Sequence, residues 1–181
     1  MTRCEIMGGM TRRRLAATLL AALALLGFAA AAWAKTYDVP SALSTVLGRT
    51  NAKTPLAILL PDRLALDFSG KVYASGTGRR NSYDLALAGA PNCGANVCFL
   101  ASFAAERGAT PSFRRTVRLR GGRTGYFKPL QCGGSCSPPE IQWKSRGNLY
   151  SIQAKIPDSS DAAAQRRLVA AANSALAAGP R

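Results

Sequence analysis

The first 34 residues constrain what the rest of this 181-residue chain can fold into more than any other feature. Three consecutive arginines, Arg12 to Arg14, precede an almost pure leucine and alanine segment at residues 15–31. Ala32-Trp33-Ala34 then places small residues where a signal peptidase cleaves. The pattern predicts a signal peptide over residues 1–34, and a mature chain that begins at Lys35 and folds outside the bacterial cytoplasm, in the periplasm or as a secreted protein.

Two alternatives to this interpretation stay open. An apolar segment of this length can remain uncleaved as a membrane anchor, since about 20 apolar residues cross a bilayer. The run Thr11-Arg12-Arg13-Arg14-Leu15 also resembles a twin-arginine export signal. Because alanine is only weakly apolar and the cleavage pattern follows directly, cleavage is the prediction. No transmembrane segment is then expected in the mature chain.

The chain after residue 34 carries an even set of cysteines, which are Cys93, Cys98, Cys132 and Cys136. In an oxidising compartment such a set predicts two disulfides. A glycine-containing segment lies between the members of each close pair, which favours the local bridges Cys93–Cys98 and Cys132–Cys136. Cross-pairing between the two loops stays open, because four cysteines allow three connectivities. The spacings differ from the paired C-x2-C pattern of zinc sites, so no metal is predicted.

We expect one domain after the signal peptide, because its length is typical of a single domain. Residues 35–54 are predicted to form a short N-terminal helix and a linker. Asp38 and Pro40 offer a helix start, and Gly48 is expected to end the helix. Residues 55–181 are predicted to form a single α+β domain.

Short apolar runs and strict alternation predict a series of strands. Tyr83, Leu85 and Leu87 alternate with polar residues most clearly, and Gly121-Gly122 marks a hairpin turn. The predicted strands cover residues 55–62, 71–74, 82–88, 99–103, 117–119, 126–127, 141–143 and 150–156. Consecutive strands with tight turns favour an antiparallel meander with one apolar face.

A final helix is predicted to cover that apolar face. Ser160 or Asp158 can cap its start, and Gly179 followed by Pro180 ends it. An apolar stripe at helical spacing begins at Leu168. The predicted fold class is therefore α+β: an antiparallel β-sheet meander with a C-terminal helix packed on one face and a short N-terminal helix.

The chain contains no histidine, which excludes the commonest general base and the triads that depend on it. Carboxylates remain as acid–base groups, and two of them meeting in a cleft would suit a glycosidase-type hydrolase. Nothing in their spacing predicts such a pair, so no catalytic residue and no cofactor are assigned. The candidates near predicted turns or strands are Asp62, Asp67, Asp84, Glu106 and Glu140.

Positive charge dominates the composition, with 24 lysines and arginines against nine carboxylates and a formal net charge of +15. The predicted signal peptide holds four of these arginines and one glutamate, so +12 remains on the mature chain. Such a charge favours an anionic envelope polymer or lipid head groups as partners, whereas intracellular nucleic acid is not expected. A weak anion-binding face is predicted at Arg114, Arg118, Arg120, Arg123 and Lys128. The alternative is an ordinary solvated face of a half-buried sheet.

Two further motifs are interpreted structurally. Gly76-Thr77-Gly78-Arg79-Arg80 is glycine-rich and basic, a composition that can hold a phosphate in backbone N–H groups. It lacks the lysine and the spacing of a P-loop, so a hairpin turn is the prediction. Trp143 and Tyr150 flank a predicted turn at residues 146–148 and are expected to form a cross-strand aromatic pair.

The C-terminal part of the chain resembles exported bacterial proteins and domains of unknown function. The resemblance is carried by the sequences GGRTGYF, IQW, GNLYSI and LVAAANSA, with CGANVC and CGGSCSPPEIQW around the cysteines. It implies a tryptophan strand, a tyrosine strand and a final helix in an exported domain, and it transfers no catalytic residue. We therefore predict a non-catalytic, disulfide-stabilised domain that binds a ligand or partner in the envelope. A carboxylate-type hydrolase of the cell envelope is the alternative.

Overall fold

The structure, a computed structural model, describes residues 34–157 and 160–181. Apart from Ala34, the predicted signal peptide lies outside these residues, as does the alternative helix cap Asp158. No helix within the described ranges is long and apolar enough to cross a membrane.

The described chain begins with two strands and two short helices, which are β1 (Lys35–Asp38), α1 (Val39–Ala42), α2 (Ser44–Asn51) and β2 (Arg63–Leu66). β1 and β2 pair antiparallel in a small sheet of their own. Asp38 caps α1 as predicted, since its Oδ1 accepts a hydrogen bond from the Ser41 N–H at 2.8 Å. The prediction that Gly48 ends this helical region is wrong. α2 continues through it because Val46 and Thr50, on either side, bury one face of the helix.

Hairpins supply the strands of the main sheet in two series. The first series is β3 (Tyr73–Arg79), β4 (Ser82–Ala88) and β5 (Phe99–Arg107). The second is β6 (Arg115–Arg118), β7 (Thr124–Lys128), the two-residue strands β8 (Gln131–Cys132) and β9 (Cys136–Ser137), β10 (Glu140–Ser145) and β11 (Asn148–Ala154). β8 and β9 form a separate small hairpin between β7 and β10.

The α+β class is confirmed, with seven antiparallel strands in the order β3-β4-β5-β11-β10-β7-β6. The predicted single meander is instead two meanders that meet where β5 pairs with β11. The chain between β5 and β6 crosses the outer face of the sheet on its way to the far edge. There the N–H and hydroxyl of Ser112 both donate to Gln142 Oε1, at 3.0 and 3.2 Å. Ser112 thus lies against the outer face at β10, beside a recess on β3, β4, β5 and β11.

The inner face of the sheet forms the core with the helices. The C-terminal helix α3 (Asp161–Ala178) begins at Ser160, whose Oγ accepts from the Ala163 N–H, and ends at Gly179. Leu168 and Ala172 of α3 are fully buried in this core, together with inward side chains of the strands. Helix and sheet therefore share one apolar interior.

The predicted aromatic pair is present in the β10–β11 hairpin. Trp143 and Tyr150 lie directly opposite each other, and their stacked rings have centroids 5.7 Å apart. In the turn between the strands, Arg146 and Gly147 both have positive φ, at 50° and 78°. Two-residue hairpins favour this turn geometry because its twist matches that of the strands.

The prediction of a strand at residues 55–62 is wrong. Ile58 and Leu60 are buried, but the backbone of this segment forms only an isolated bridge, between Leu59 and Pro180. The Leu59 N–H donates instead to the hydroxyl of Tyr83 at 3.2 Å. Burial of its apolar side chains therefore holds this segment in position, and it does not pair as a strand. Strands β1 and β2 were not predicted from the sequence.

Candidate functional site

A groove of about 820 Å³ lies at the end of the sheet where β3 begins. Its walls are α1, the first turn of α2, residues 71–75 leading into β3, residues 86–88 of β4 and the loop at residues 90–96. Recesses of this size are typical of sites that take a small molecule or part of a chain. The groove is therefore the first candidate for a binding site.

Neutral polar and apolar side chains line this groove together, with Val72, Tyr73 and Phe99 among the larger apolar ones. Three of the lining residues carry hydroxyls, which are Ser44 and Thr45 of α2 and Ser75 of β3. Among the described residues of the lining, Lys71 alone carries a charge. Its ammonium lies 5.3 Å from the centre of the Tyr73 ring, a cation–π contact that favours its position beside the strand. The lining can donate and accept hydrogen bonds and attract one anionic group.

The disulfide between Cys93 and Cys98 closes the loop that forms the rim of the groove. It is the local pairing that the sequence favours, and the two α-carbons lie 5.9 Å apart. The Gly89 N–H donates to the Cys98 carbonyl at 2.8 Å, which joins the base of the loop. Asn92 turns the chain in the left-handed region, with a φ of 52°, which asparagine tolerates better than most residues. The disulfide fixes the rim of the groove, because this loop has few apolar side chains that could hold it in place by packing.

The second disulfide, Cys132–Cys136, closes the β8–β9 hairpin beside the first loop. Asn96 Nδ2 donates to the Cys136 carbonyl at 3.3 Å, which connects the two disulfide loops. Lys155 Nζ donates to the carbonyls of Asn96 and Val97, at 2.6 and 3.0 Å. These contacts hold the groove's rim to the chain after β11, while the Val97 side chain projects from it, 87% exposed.

The glycine-rich segment predicted to be a hairpin turn is part of β3, and the turn follows it at Arg80 and Asn81. A Cβ on Gly76 would lie 2.8 Å from Thr50 Oγ1, and one on Gly78 would lie 2.5 Å from the Thr50 carbonyl oxygen. The two glycines therefore let α2 pack on the backbone of β3. They belong to a strand and do not form a phosphate-binding loop. The sequence prediction did not include this close packing of a helix on a strand. The small residues at alternate positions 74, 76 and 78 are the pattern that could have indicated it.

A second recess, of about 390 Å³, lies on the outer face of β3, β4, β5 and β11, and Gln142 of β10 also lines it. It brings together two candidate carboxylates, Asp84 on β4 and Glu106 on β5. They are diagonal neighbours, because the register pairs Asp84 with Ala104. Desolvation raises the pKa of the Asp84 carboxyl. Arg79 and Ser151 also line this recess, which combines acidic, basic and hydroxyl groups.

The other candidate carboxylates lie elsewhere. Asp62 forms an ion pair with Arg181, and the hydrogen bond from that guanidinium helps to lower the pKa of Asp62. Glu140 pairs with Lys128 at 3.3 Å. Asp67 lines a small recess beside the second disulfide hairpin. Asp84 and Glu106 are therefore the two candidates that share a recess.

Strand β6 carries the first part of the predicted anion-binding face. It forms the edge of the sheet opposite to β3. Arg114 directly precedes this strand and Arg118 ends it. Alternate residues of a strand point to the same side, so these two arginines share one face.

The rest of the predicted anion-binding face lies off the strand. Arg120 lies in a short 3-10 turn, where its N–H donates to Asn173 Oδ1 of α3 at 2.7 Å. Arg123 Nη1 donates to the Arg120 carbonyl at 3.3 Å across the same turn. Lys128, already paired with a carboxylate, lies 5.1 Å above the Phe113 ring. The structure thus distributes these cations over a strand, a turn and an ion pair.

No family model matches this chain, and no curated protein or solved structure matches it. Within residues 34–157 and 160–181, no three histidine, cysteine, aspartate or glutamate side chains gather as a metal-binding set. The function has to be inferred from the chain's own geometry.

Proposed function

We propose that this chain is an exported, disulfide-stabilised domain that binds a ligand or partner in the bacterial envelope or outside the cell, through the groove beside β3. The lining of that groove carries the proposal. Hydroxyls on both walls and the ammonium of Lys71 form a surface suited to hydrogen bonding and to attracting an anionic group. Among the described residues of the lining, Cys93 is the one cysteine, and its disulfide leaves it no thiol to act as a nucleophile.

The two disulfides support an oxidising compartment. Both close short loops; the first forms the rim of the groove, and the second contacts the first through Asn96. Disulfides of this kind are rare in proteins kept in a reducing cytosol. Together with the signal-peptide pattern at residues 1–34, they favour export of the domain.

The test is photo-crosslinking in the producing cell. A photoreactive amino acid at Ser44, exposed on the groove wall, should form an adduct with the bound ligand in the envelope fraction. The matched control carries the same amino acid at Arg166, an exposed position of α3 that does not line the groove. An adduct at Ser44 but not at Arg166 is expected. Equal labelling at both positions, or recovery of the protein from the cytoplasm, would contradict the proposal.

A carboxylate-type hydrolase is the second candidate, because Asp84 and Glu106 share the outer recess and the Asp84 pKa is raised. In such an enzyme Asp84, whose pKa is raised by desolvation, is the candidate acid and Glu106 the candidate base. The test is release of soluble sugar from purified cell-wall polysaccharide. Loss of that release in Asp84→Asn, with an unfolding temperature no lower than that of the native chain and both disulfides intact, would favour this function over simple binding.

A further inference from the structure

One edge of β3 is unpaired in the described part of the chain. The Arg107 N–H donates to the Asn81 carbonyl, so the odd-numbered residues of β4 direct their backbone groups to β5 and the even-numbered ones to β3. In the β3–β4 register those even residues face the odd residues 73–79. Ala74, Gly76 and Gly78 therefore point their N–H and C=O groups away from the sheet, and all three are partly exposed.

The two edges of the sheet differ in how they exclude further strands. β6, at the far edge, is a short strand with an arginine at each end, and the Arg115 guanidinium lies 5.2 Å above the Phe127 ring. Short length and charge are common devices that keep edge strands from pairing. β3 is longer, and the sequence from Tyr73 to Gly78 has neither a charge nor a proline. Its edge lacks those two devices.

Cations surround this open edge. Lys71 precedes β3, and Arg79 and Arg80 end it. Arg49 lies in α2, and the Lys53 Cβ is so close that a Cβ on Gly78 would lie 2.9 Å from it. On the outer face, Asp84 and Glu106 share a recess with Arg79 and offset its charge there, which leaves Lys71, Arg80 and Lys53 as the cations beside the edge. The unpaired backbone groups of β3 are therefore exposed next to positively charged side chains.

We infer that the ligand of the groove is an extended, acidic polypeptide segment that adds to β3 as a further strand. The inference rests on the function proposed above, since residues 71–75 belong to both the groove and the edge. Main-chain hydrogen bonds to Ala74, Gly76 and Gly78 supply affinity, and carboxylates opposite the surrounding cations supply specificity. A second copy is a poor occupant. Antiparallel self-pairing would bring the Lys71 end of one strand against the Arg79–Arg80 end of the other, and like charges repel.

Two labelled peptides provide the probe. Each has about nine residues, enough to match a strand of this length. One alternates valine or threonine with glutamate, and the other replaces every glutamate by lysine. Fluorescence anisotropy with the oxidised, exported protein should show binding of the glutamate peptide and none of the lysine peptide. Binding should weaken as salt rises, because the flanking cations are solvent-exposed.

A proline variant separates backbone pairing from simple charge attraction. Ala74→Pro removes an N–H that points away from β4, so the β3–β4 ladder stays intact. We expect it to weaken peptide binding about tenfold, through one lost hydrogen bond and the bulk of the ring. Ala74→Ser keeps the N–H and is the conservative comparison, which should bind the glutamate peptide more tightly than Ala74→Pro does. Arg79→Ser with Arg80→Ser should weaken binding of the glutamate peptide and reduce its dependence on salt.

Amide hydrogen exchange of the unmodified protein tests the same contact without relying on any variant. The Gly76 and Gly78 amides should exchange more slowly when the glutamate peptide is added. Unchanged exchange at both glycines, or equal binding by Ala74→Pro and the native chain, would overturn the inference. Protection that grows with protein concentration in the absence of peptide would also overturn it, because a second copy would then occupy the edge. A groove-specific adduct at Ser44 combined with no peptide binding would leave the proposed function standing and refute this inference alone.

Discussion

Two glycines determine how closely α2 approaches the sheet. Side chains at positions 76 and 78 would point at α2, where the Thr50 carbonyl oxygen would lie 2.5 Å from a Cβ on Gly78. Because that oxygen belongs to the helix backbone, it can move away only if α2 moves. The position of the groove wall formed by α2 therefore depends on glycine at positions 76 and 78.

Gly78→Ala should destabilise the domain by roughly 1–3 kcal/mol, the usual cost of overpacking a tight contact. Gly48→Ala is the matched control. Gly48 lies within α2, and a Cβ on it would meet no other atom within 4 Å, so alanine should stabilise the helix by about 0.5–1 kcal/mol. Urea unfolding of both variants measures the difference. Equal changes in the free energy of unfolding for the two variants would show that α2 does not pack closely against β3.

Two aspartates should respond to pH in opposite directions. Desolvation raises the pKa of Asp84 in the folded protein, so the charged carboxylate lowers the free energy of unfolding. The domain therefore loses stability as pH rises through the raised pKa and this carboxyl becomes charged. The hydrogen bond from Arg181 lowers the pKa of Asp62, so its contribution is present at neutral pH and is lost as pH falls through the folded value.

The prediction is that Asp84→Asn raises the unfolding temperature at neutral pH and that Asp62→Asn lowers it. Both differences should shrink towards pH 3, where the native aspartates are increasingly protonated. Thermal unfolding of the native chain and the two variants between about pH 3 and pH 7 provides the measurement. A fall in unfolding temperature at neutral pH for Asp84→Asn would show that this carboxylate gains more from its neighbours than it loses by desolvation.

At the scale of elements, local patterns were predictable and distant pairings were not. The alternation at residues 82–88 gives β4 with the same bounds, and Trp143 opposite Tyr150 follows from a short turn. The pairing of β5 with β11 joins segments far apart in sequence, and no local pattern specifies it. The apolar run at residues 55–62 resembles a strand because burial alone produces that pattern. The groove was not predictable either, because it brings together segments that lie apart in the sequence, which are α1, α2, β3 and a disulfide loop.

The final helix shows what a recognisable motif can contribute. The Ala-Asn-Ser motif places Asn173 and Ser174 towards the rest of the domain. Asn173 Oδ1 accepts from the Arg120 N–H, and Ser174 Oγ accepts from the Asp62 N–H at 3.1 Å. These side chains attach α3 to two turns, which is a structural role and implies no activity.

The disulfide at the groove's rim permits a direct test at the same scale. Replacing Cys93 and Cys98 by serine should cost about 2 kcal/mol of stability, the loop-closure contribution of a short bridge. It should also weaken ligand capture at Ser44, because the rim would lose its closure. The unreduced native protein should have a mass four hydrogens below that of the reduced protein, in accord with two bridges. An unchanged mass on reduction would rule the bridges out.

At the scale of the molecule, both edges of the seven-stranded sheet carry cations. The β3 edge combines cations with open backbone groups, whereas the β6 edge carries arginines on the strand and on the turn that follows it. A flexible polyanion needs charge density and no backbone pairing, so it should prefer the β6 edge. An extended acidic peptide needs both, so it should prefer the β3 edge.

Heparin chromatography tests this division between the edges. The native protein should be retained weakly, and retention should fall steeply as salt rises, since binding of a polyanion releases its counterions. Arg118→Ser with Arg120→Ser should elute at lower salt than Arg79→Ser with Arg80→Ser, although each pair removes the same charge. If both pairs elute together, retention reports only the net charge and the predicted face at β6 has no special affinity. If the Arg79–Arg80 pair elutes first, the positive field of the molecule is centred on β3, and polyanions would compete there with any acidic strand.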